Sequence, residues 1–141
     1  MSIEKDFQWQ NEYSVGIYGI DRQHKEIITM LKDLQLLGVI DNKKSHKTFK
    51  TMLYSVTEYI KHHFGVEEKE MDKMNYPGHI EHKEQHCILL HEINEMYKKI
   101  GKEESLSIKN VCEYLIVWYL DHLIGLDKEM GDHFKRSKKL M

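Results

Sequence analysis

In the stretch HHFGVEEKEMDKMNYPGHIEHKEQH, residues 62–86, five histidines stand among closely spaced carboxylates on either side of one NYPG turn. Before the turn, His63 and Glu67 extend a stripe that begins at Phe49 and runs through Met52, Leu53, Val56 and Ile60. After it, His82 and His86 open a second stripe, continued by Leu89, Leu90, Ile93, Met96 and Ile100. Spacings of three and four are the signature of a helix with one buried face. The stretch therefore reads as two helices folded back on each other at Pro77, the only proline of the chain, with polar groups on the faces they must bury.

The same periodicity extends outward. A first helix is predicted from about Asp21 to Leu37, with Ile20, His24, Ile27, Ile28, Leu31 and Leu34 on one face. The second starts near Ser45, a candidate N-cap, and the third runs from about Ile80 to a stop at Gly101. A fourth opens after EESLS and carries Ile108, Val111, Leu115, Trp118, His122 and Leu126. Four amphipathic helices joined by short loops favour antiparallel neighbours, so the expected fold is all-α: an up-down-up-down antiparallel four-helix bundle. Phe7, Trp9, Tyr13 and Tyr18 make residues 1–19 too aromatic for a free tail, and an ordered N-terminal arm across the bundle is expected. Residues 1–141 then form one domain, with the arm at 1–19, the bundle at 20–134 and a basic tail at 135–141.

Bulk composition removes several functions. A chain of 141 residues supports one core, and 40% hydrophobic residues suffice to build it. With 21 Lys+Arg against 23 Asp+Glu, no basic face suited to nucleic acid is expected. No apolar run approaches the roughly 18 residues of a membrane span and the start lacks a leader pattern, so a cytoplasmic protein is expected. Cys87 and Cys112 read as reduced packing thiols. The unusual total is 10 histidines.

Residues four apart on a helix differ by only about 40° in direction. His63 with Glu67, and His82 with His86, can thus aim two side chains each at a common point inside the bundle, joined by His24 and His122. His62 and Glu68 lie about 100° off the second stripe and should face outward or to a flank. Asp127 follows His122 by five, which leaves the two some 140° apart on a regular helix. To bring both inward, the turn between them must widen toward π geometry or unwind, and Gly125 would make that cheaper.

One histidine on such a stripe reads as a hydrogen-bonded core residue. Five imidazoles with two carboxylates have no mutual hydrogen-bonding scheme as natural as metal ligation, because a buried carboxylate is costly unless paired or metal-bound. Seven groups exceed the four of a tetrahedral zinc site, whereas two metals sharing bridging carboxylates fit the count. The chain lacks the Glu-x-x-His pairs of ferritin-like di-metal bundles and the HExxH motif of zinc proteases.

These pieces resemble the single-domain bacterial hemerythrins. The matching segments are Trp9 and YSVGIYGIDRQH ending at His24, HFGVEEKEM around His63 and Glu67, YPGHIEHKEQH ending in His82 and His86, and WYLDHLIGLD with His122 and Asp127. The resemblance runs from about Trp9 to Phe134 and implies a bundle holding two non-haem iron ions. His82, His86 and His122 would bind one iron, and His24 and His63 the other. Glu67 and Asp127 would bridge them along with an oxo or hydroxo group. The second iron would keep an open position for dioxygen, which implies an oxygen-binding protein for storage, delivery or scavenging rather than an enzyme. Alternatives are a di-iron redox enzyme acting on peroxide or nitric oxide, and an oxygen or iron sensor module. A monomer with a possible oxygen-consuming enzyme as partner is expected.

Tyr119 lies three residues before His122 and should face the same interior, where related sequences carry leucine. Its hydroxyl either bonds elsewhere in the core or reaches the bound oxygen. Trp118, Leu123 and Ile28 are further candidates for lining the oxygen pocket. His79 reads as an exposed first-turn residue, and His46, His91 and His133 have no partner at ligand spacing.

Overall fold

The computed structural model describes residues 7–38, 43–100, 102 and 107–139. Its helices are α1 (Tyr18–Leu37), α2 (Lys43–Lys73), α3 (His79–Lys99), α4 (Ile108–His122) and α5 (Lys128–Lys139), with a π-helical segment, Leu123–Asp127, joining α4 to α5. The last three elements form one rod, so the architecture is the expected up-down-up-down antiparallel four-helix bundle, with no strand among the described residues. α1 packs against α2 and α4, and α2 against α3. No described helix is long and apolar enough to cross a membrane.

Each boundary has a local cause. Ser107 caps α4 by accepting from the Asn110 amide at 3.1 Å. At the far end of α2, Tyr76 N donates to Met71 O and Asn75 N to Asp72 O, the paired bonds of a Schellman stop. Asn75 takes the left-handed position at φ 49°, a role asparagine tolerates, and Pro77 prevents the helix from resuming. Ser45 lies inside α2 rather than capping it, since the helix already begins at Lys43. Gly101, expected to end α3, falls outside the described residues.

Two apolar clusters fill the bundle. The larger contains Ile27, Leu31, Phe64, Leu89, Leu115 and Leu123, and the smaller Val15, Ile20, Met71, Tyr76 and Met130, with Met74 packed against it. On α1 the residue between them is His24; on α2 it is Glu67; on the last rod it is Asp127. The polar level thus sits between two dry layers.

The arm is ordered as expected over its described part. Phe7 is buried in the larger cluster, Trp9 packs edge-on against Tyr13, and a short 3-10 turn spans Asn11–Tyr13. The Asp21 carboxylate accepts from Ser14 Oγ and from the Val15 amide, tying the arm to the start of α1. Two expectations are corrected. Tyr18 is 82% exposed because the helix already begins there and turns it outward. Cys87 is exposed on the outer face of α3, and only Cys112 is a packing thiol. α5 also continues helically to Lys139, through residues expected to form the tail.

The arm crosses the last rod at Gly131, where an added Cβ would stand 2.6 Å from Val15 Cα. Gly131→Ala should therefore destabilise the chain by about 1–3 kcal/mol, as overpacking against backbone does. Gly65, exposed in mid-helix with open space around it, is the control: Gly65→Ala should stabilise by about 0.5–1 kcal/mol. Urea denaturation of both variants checks the pair, and equal effects would mean that the arm does not seat on Gly131.

Candidate metal centre

The structure brings together all seven groups singled out from the sequence. α1 contributes His24, α2 His63 and Glu67, α3 His82 and His86, α4 His122, and the π segment Asp127. Six of them are at most 1% exposed and His122 is 5% exposed. Asp127 reaches the interior because the turn after His122 is π-helical, the widening that the five-residue spacing required. Gly125 has open space around it, so the widening does not depend on a missing side chain there.

The seven groups form two overlapping sets of candidate ligands: Glu67, His82, His86, His122 and Asp127, and His24, His63 and Glu67. Glu67 belongs to both, and Asp127 reaches from the first set to His24 of the second. Glu67 Oε2 lies 2.9 Å from His24 Nε2 and 3.2 Å from His63 Nε2, while its Oε1 lies 3.2 Å from His86 Nε2 and 3.6 Å from His82 Nε2. Asp127 Oδ2 is 3.2 Å from His24 Nε2, and Oδ1 is 3.0 Å from His82 Nε2 and 3.1 Å from His122 Nε2.

Neighbours fix the imidazoles. Gln23 Oε1, which can only accept, is 2.8 Å from His63 Nδ1, so that nitrogen carries the proton and Nε2 turns a lone pair to the cluster. Glu68 does the same for His86 Nδ1 at 2.9 Å. Such outer partners orient ligating histidines and raise their basicity. Phe64 stacks on His86 at 3.6 Å between centroids and 5°, and Trp118 on His122 at 4.7 Å and 15°. Gln23, Glu68 and Phe64 escaped the sequence reading because helix periodicity marks inward positions, whereas a supporting partner sits to one side of the stripe. Glu68 does lie on the flank, as expected, and from there it reaches His86.

Electrostatics without bound cations is strongly coupled. Burial disfavours charge on His24, yet Asp127 and Glu67 outweigh it and hold the imidazole up at about 10. His82 is likewise held at about 9 against burial by the same two carboxylates. For His63 burial wins, and its pKa is lowered. Burial alone would raise Glu67, but His63, His24 and His82 bring it well below the usual carboxylate range; Asp127 is depressed by His122 and His24 against burial and the Glu67 charge.

Tyr119 is buried, its ring edge-on to His24 at 6.2 Å and 74°, and its hydroxyl has no hydrogen-bond partner. Burial raises its pKa well above 10, with Asp127 and Glu67 adding to the shift, so it stays a neutral donor. Leu123 and Ile28 are buried in the larger apolar cluster, while Trp118 is partly buried and lines a surface groove. His79, part-buried at the start of α3, stands outside both sets, as do His46, His91 and His133.

The donor set fits a pair of metal ions on an observation independent of counting. His63 Nε2, His82 Nε2, Glu67 Oε1 and both Asp127 oxygens are buried with no hydrogen-bond partner, although they crowd within a few ångströms of one another. Buried polar atoms left unpaired are costly, and cations between them would satisfy all five.

Comparison with known proteins agrees with this arrangement. The family model described as the hemerythrin HHE cation binding domain matches residues 15–133. The bacteriohemerythrin of Stenotrophomonas maltophilia is 28% identical over 127 residues, covering 90% of this chain and 80% of that protein. That of Clostridium acetobutylicum is 23% identical over 128 residues, covering 89% and 99%. A solved hemerythrin, a variant with tyrosine in place of a leucine, superposes with a TM-score of 0.78 at 26% identity, covering 89% of this chain and 94% of its own.

Metal ligation needs neutral imidazoles, so loading must displace the protons that His24 and His82 hold at pH 7. Apparent metal affinity should therefore climb from pH 7 toward about 9, with protons released on binding. Titration calorimetry in two buffers of different ionisation enthalpy reads the release. In the unloaded chain these raised values contribute stability that is complete below the free imidazole pKa of about 6.5. That contribution is lost as pH rises through about 9 and 10. Affinity that is flat across the window would mean that both rings are already neutral.

Proposed function

Because the chain belongs to the hemerythrin family, we propose that it binds dioxygen reversibly at a non-haem di-iron centre, for storage, delivery or scavenging. His82, His86 and His122 would hold one iron and His24 and His63 the other, with Glu67 and Asp127 shared between them. The observation that carries this reading is the uneven split of donors: five imidazoles divide three and two around two shared carboxylates. The half with one imidazole fewer is the one that would leave a position open for a small ligand. When bound, the irons supply that open position and a pair of electrons.

The protein supplies the rest. Gln23 and Glu68 hold two of the imidazoles in the tautomer that ligates. The apolar layers above and below would keep out water and protons, which would otherwise release the ligand in a reduced form and leave the metal oxidised. Tyr119, beside His24, offers a neutral hydroxyl as a donor to the small ligand, and Ile28 and Leu123 contribute apolar lining. In this reading the chain acts as a cytoplasmic monomer and hands oxygen to an oxygen-consuming enzyme. One observation favours a second reading: a phenol proton donor beside the cluster would also serve a redox enzyme acting on peroxide or nitric oxide.

Anaerobic ferrous loading with metal analysis, followed by visible absorption through cycles of air and argon, tests the proposal. About two irons per chain are expected from the donor count, with a charge-transfer band that appears in air and fades under argon. Iron that oxidises once and stays oxidised, with steady peroxide turnover, supports the enzyme instead. Tyr119→Phe should weaken ligand retention roughly fivefold, the worth of a hydrogen bond of about 1 kcal/mol. Autoxidation rates equal in Tyr119→Phe, Tyr119→Leu and the parent chain would remove the hydroxyl from the account.

A further inference from the structure

A surface groove shares one residue, His122, with the buried cluster. It has a volume of about 310 Å³ and is lined by Glu81, Asp121 and Glu129 together with Trp118, His122 and the π segment. The three carboxylates are exposed, none is in an ion pair among the described residues, and no lysine or arginine lines the groove.

His122 joins groove and cluster. Its side chain is 2% exposed, as is that of His86, and of the seven groups it is the one that lines this groove. Its Nε2 lies 3.1 Å from Asp127 Oδ1 and 3.3 Å from His86 Nε2, inside the cluster. Nδ1, on the opposite edge of the ring, is buried without a hydrogen-bond partner. Trp118 lies flat on the same imidazole and also lines the groove, so the indole covers the ring from the groove side. The floor beside them contains Gly125, around which a further methyl group would meet nothing within 4 Å.

A buried metal site needs an access path as well as ligands. A divalent cation cannot cross the apolar layers with its hydration shell, and this groove, whose carboxylates are all exposed and meet no lysine or arginine, reaches a candidate ligand. Clefts lined by one sign of charge concentrate counter-ions and raise on-rates by about 10- to 1,000-fold, an effect that salt suppresses. We infer that the groove is the loading port of the metal centre: Glu81, Asp121 and Glu129 gather a hydrated divalent cation, and Trp118 moves aside to let it reach His122. The inference rests on the metal-centre reading above and adds a site outside the ligand set.

Cobalt(II) uptake without oxygen, followed by stopped-flow visible absorption, tests it apart from any oxygen chemistry. The variant Glu81→Gln/Asp121→Asn/Glu129→Gln should load at least about tenfold more slowly at low salt, reach the parent's final stoichiometry and spectrum, and lose the parent's salt dependence. A control that neutralises Glu58, Glu92 and Glu95, on other surfaces, changes net charge equally and should load at the parent's rate. Equal rates in the groove variant and the parent overturn the port, as do equal slowing in groove and control variants or a lowered final stoichiometry in the groove variant. A parent chain that takes up no cobalt overturns the centre itself, and the port with it.

Discussion

Burial of two carboxylates among five imidazoles is the constraint around which this bundle is organised. An isolated carboxylate in a dry interior costs several kcal/mol after relaxation, so Glu67 and Asp127 must have compensating charge wherever the chain folds. Without cations that charge is protonic: His24 and His82 are held at about 10 and 9 and balance the two acids. The same geometry leaves His63 Nε2, His82 Nε2, Glu67 Oε1 and both Asp127 oxygens without hydrogen bonds. Protons neutralise the level without satisfying it, which is the condition that favours exchanging them for multivalent cations.

The secondary structure bends to that constraint in one place. Asp127 could face inward on a regular helix only if His122 faced out, and the chain resolves the conflict with the π segment Leu123–Asp127. A π turn weakens local packing, and such turns recur where function requires a side chain to be re-aimed. Gly125 gives no steric reason for it, since a side chain would fit there. The widening follows from what Asp127 must reach.

Much of this was legible in the sequence because the stripes are strong and the ligand pairs sit on them at spacings of four. The bundle, the arm, the inward cluster and the irregular turn all follow from periodicity and from the cost of burying charge. What was not legible depends on contacts that periodicity does not encode. Gln23 and Glu68 lie off their stripes yet each meets a histidine through its Nδ1, and Glu68 does so across a helix pair, from α2 to α3. Tyr18 was counted among the aromatics of the ordered arm, but the helix starts there and its phase turns the ring to solvent. The close approach of Gly131 to Val15 joins residues more than a hundred positions apart, which only the folded arm reveals. Trp118, a candidate for pocket lining by its stripe, lies flat on His122 and lines a surface groove with it, a placement that periodicity does not encode.

That last placement divides the cluster into two unlike sides. The half containing His24 and His63 is fully buried, with Tyr119 edge-on to His24, whereas in the other half His122 lies under the Trp118 indole in a groove with three exposed carboxylates. A hydrated cation and a small apolar gas make opposite demands on a route to the same level. The first needs water and negative charge along its path, and the second crosses packed side chains through their ordinary fluctuations and is better kept where protons are scarce. On the function and the port proposed above, ion loading would lie on the His122 side and ligand retention on the Tyr119 side, so that filling the site would not wet the half beneath Tyr119.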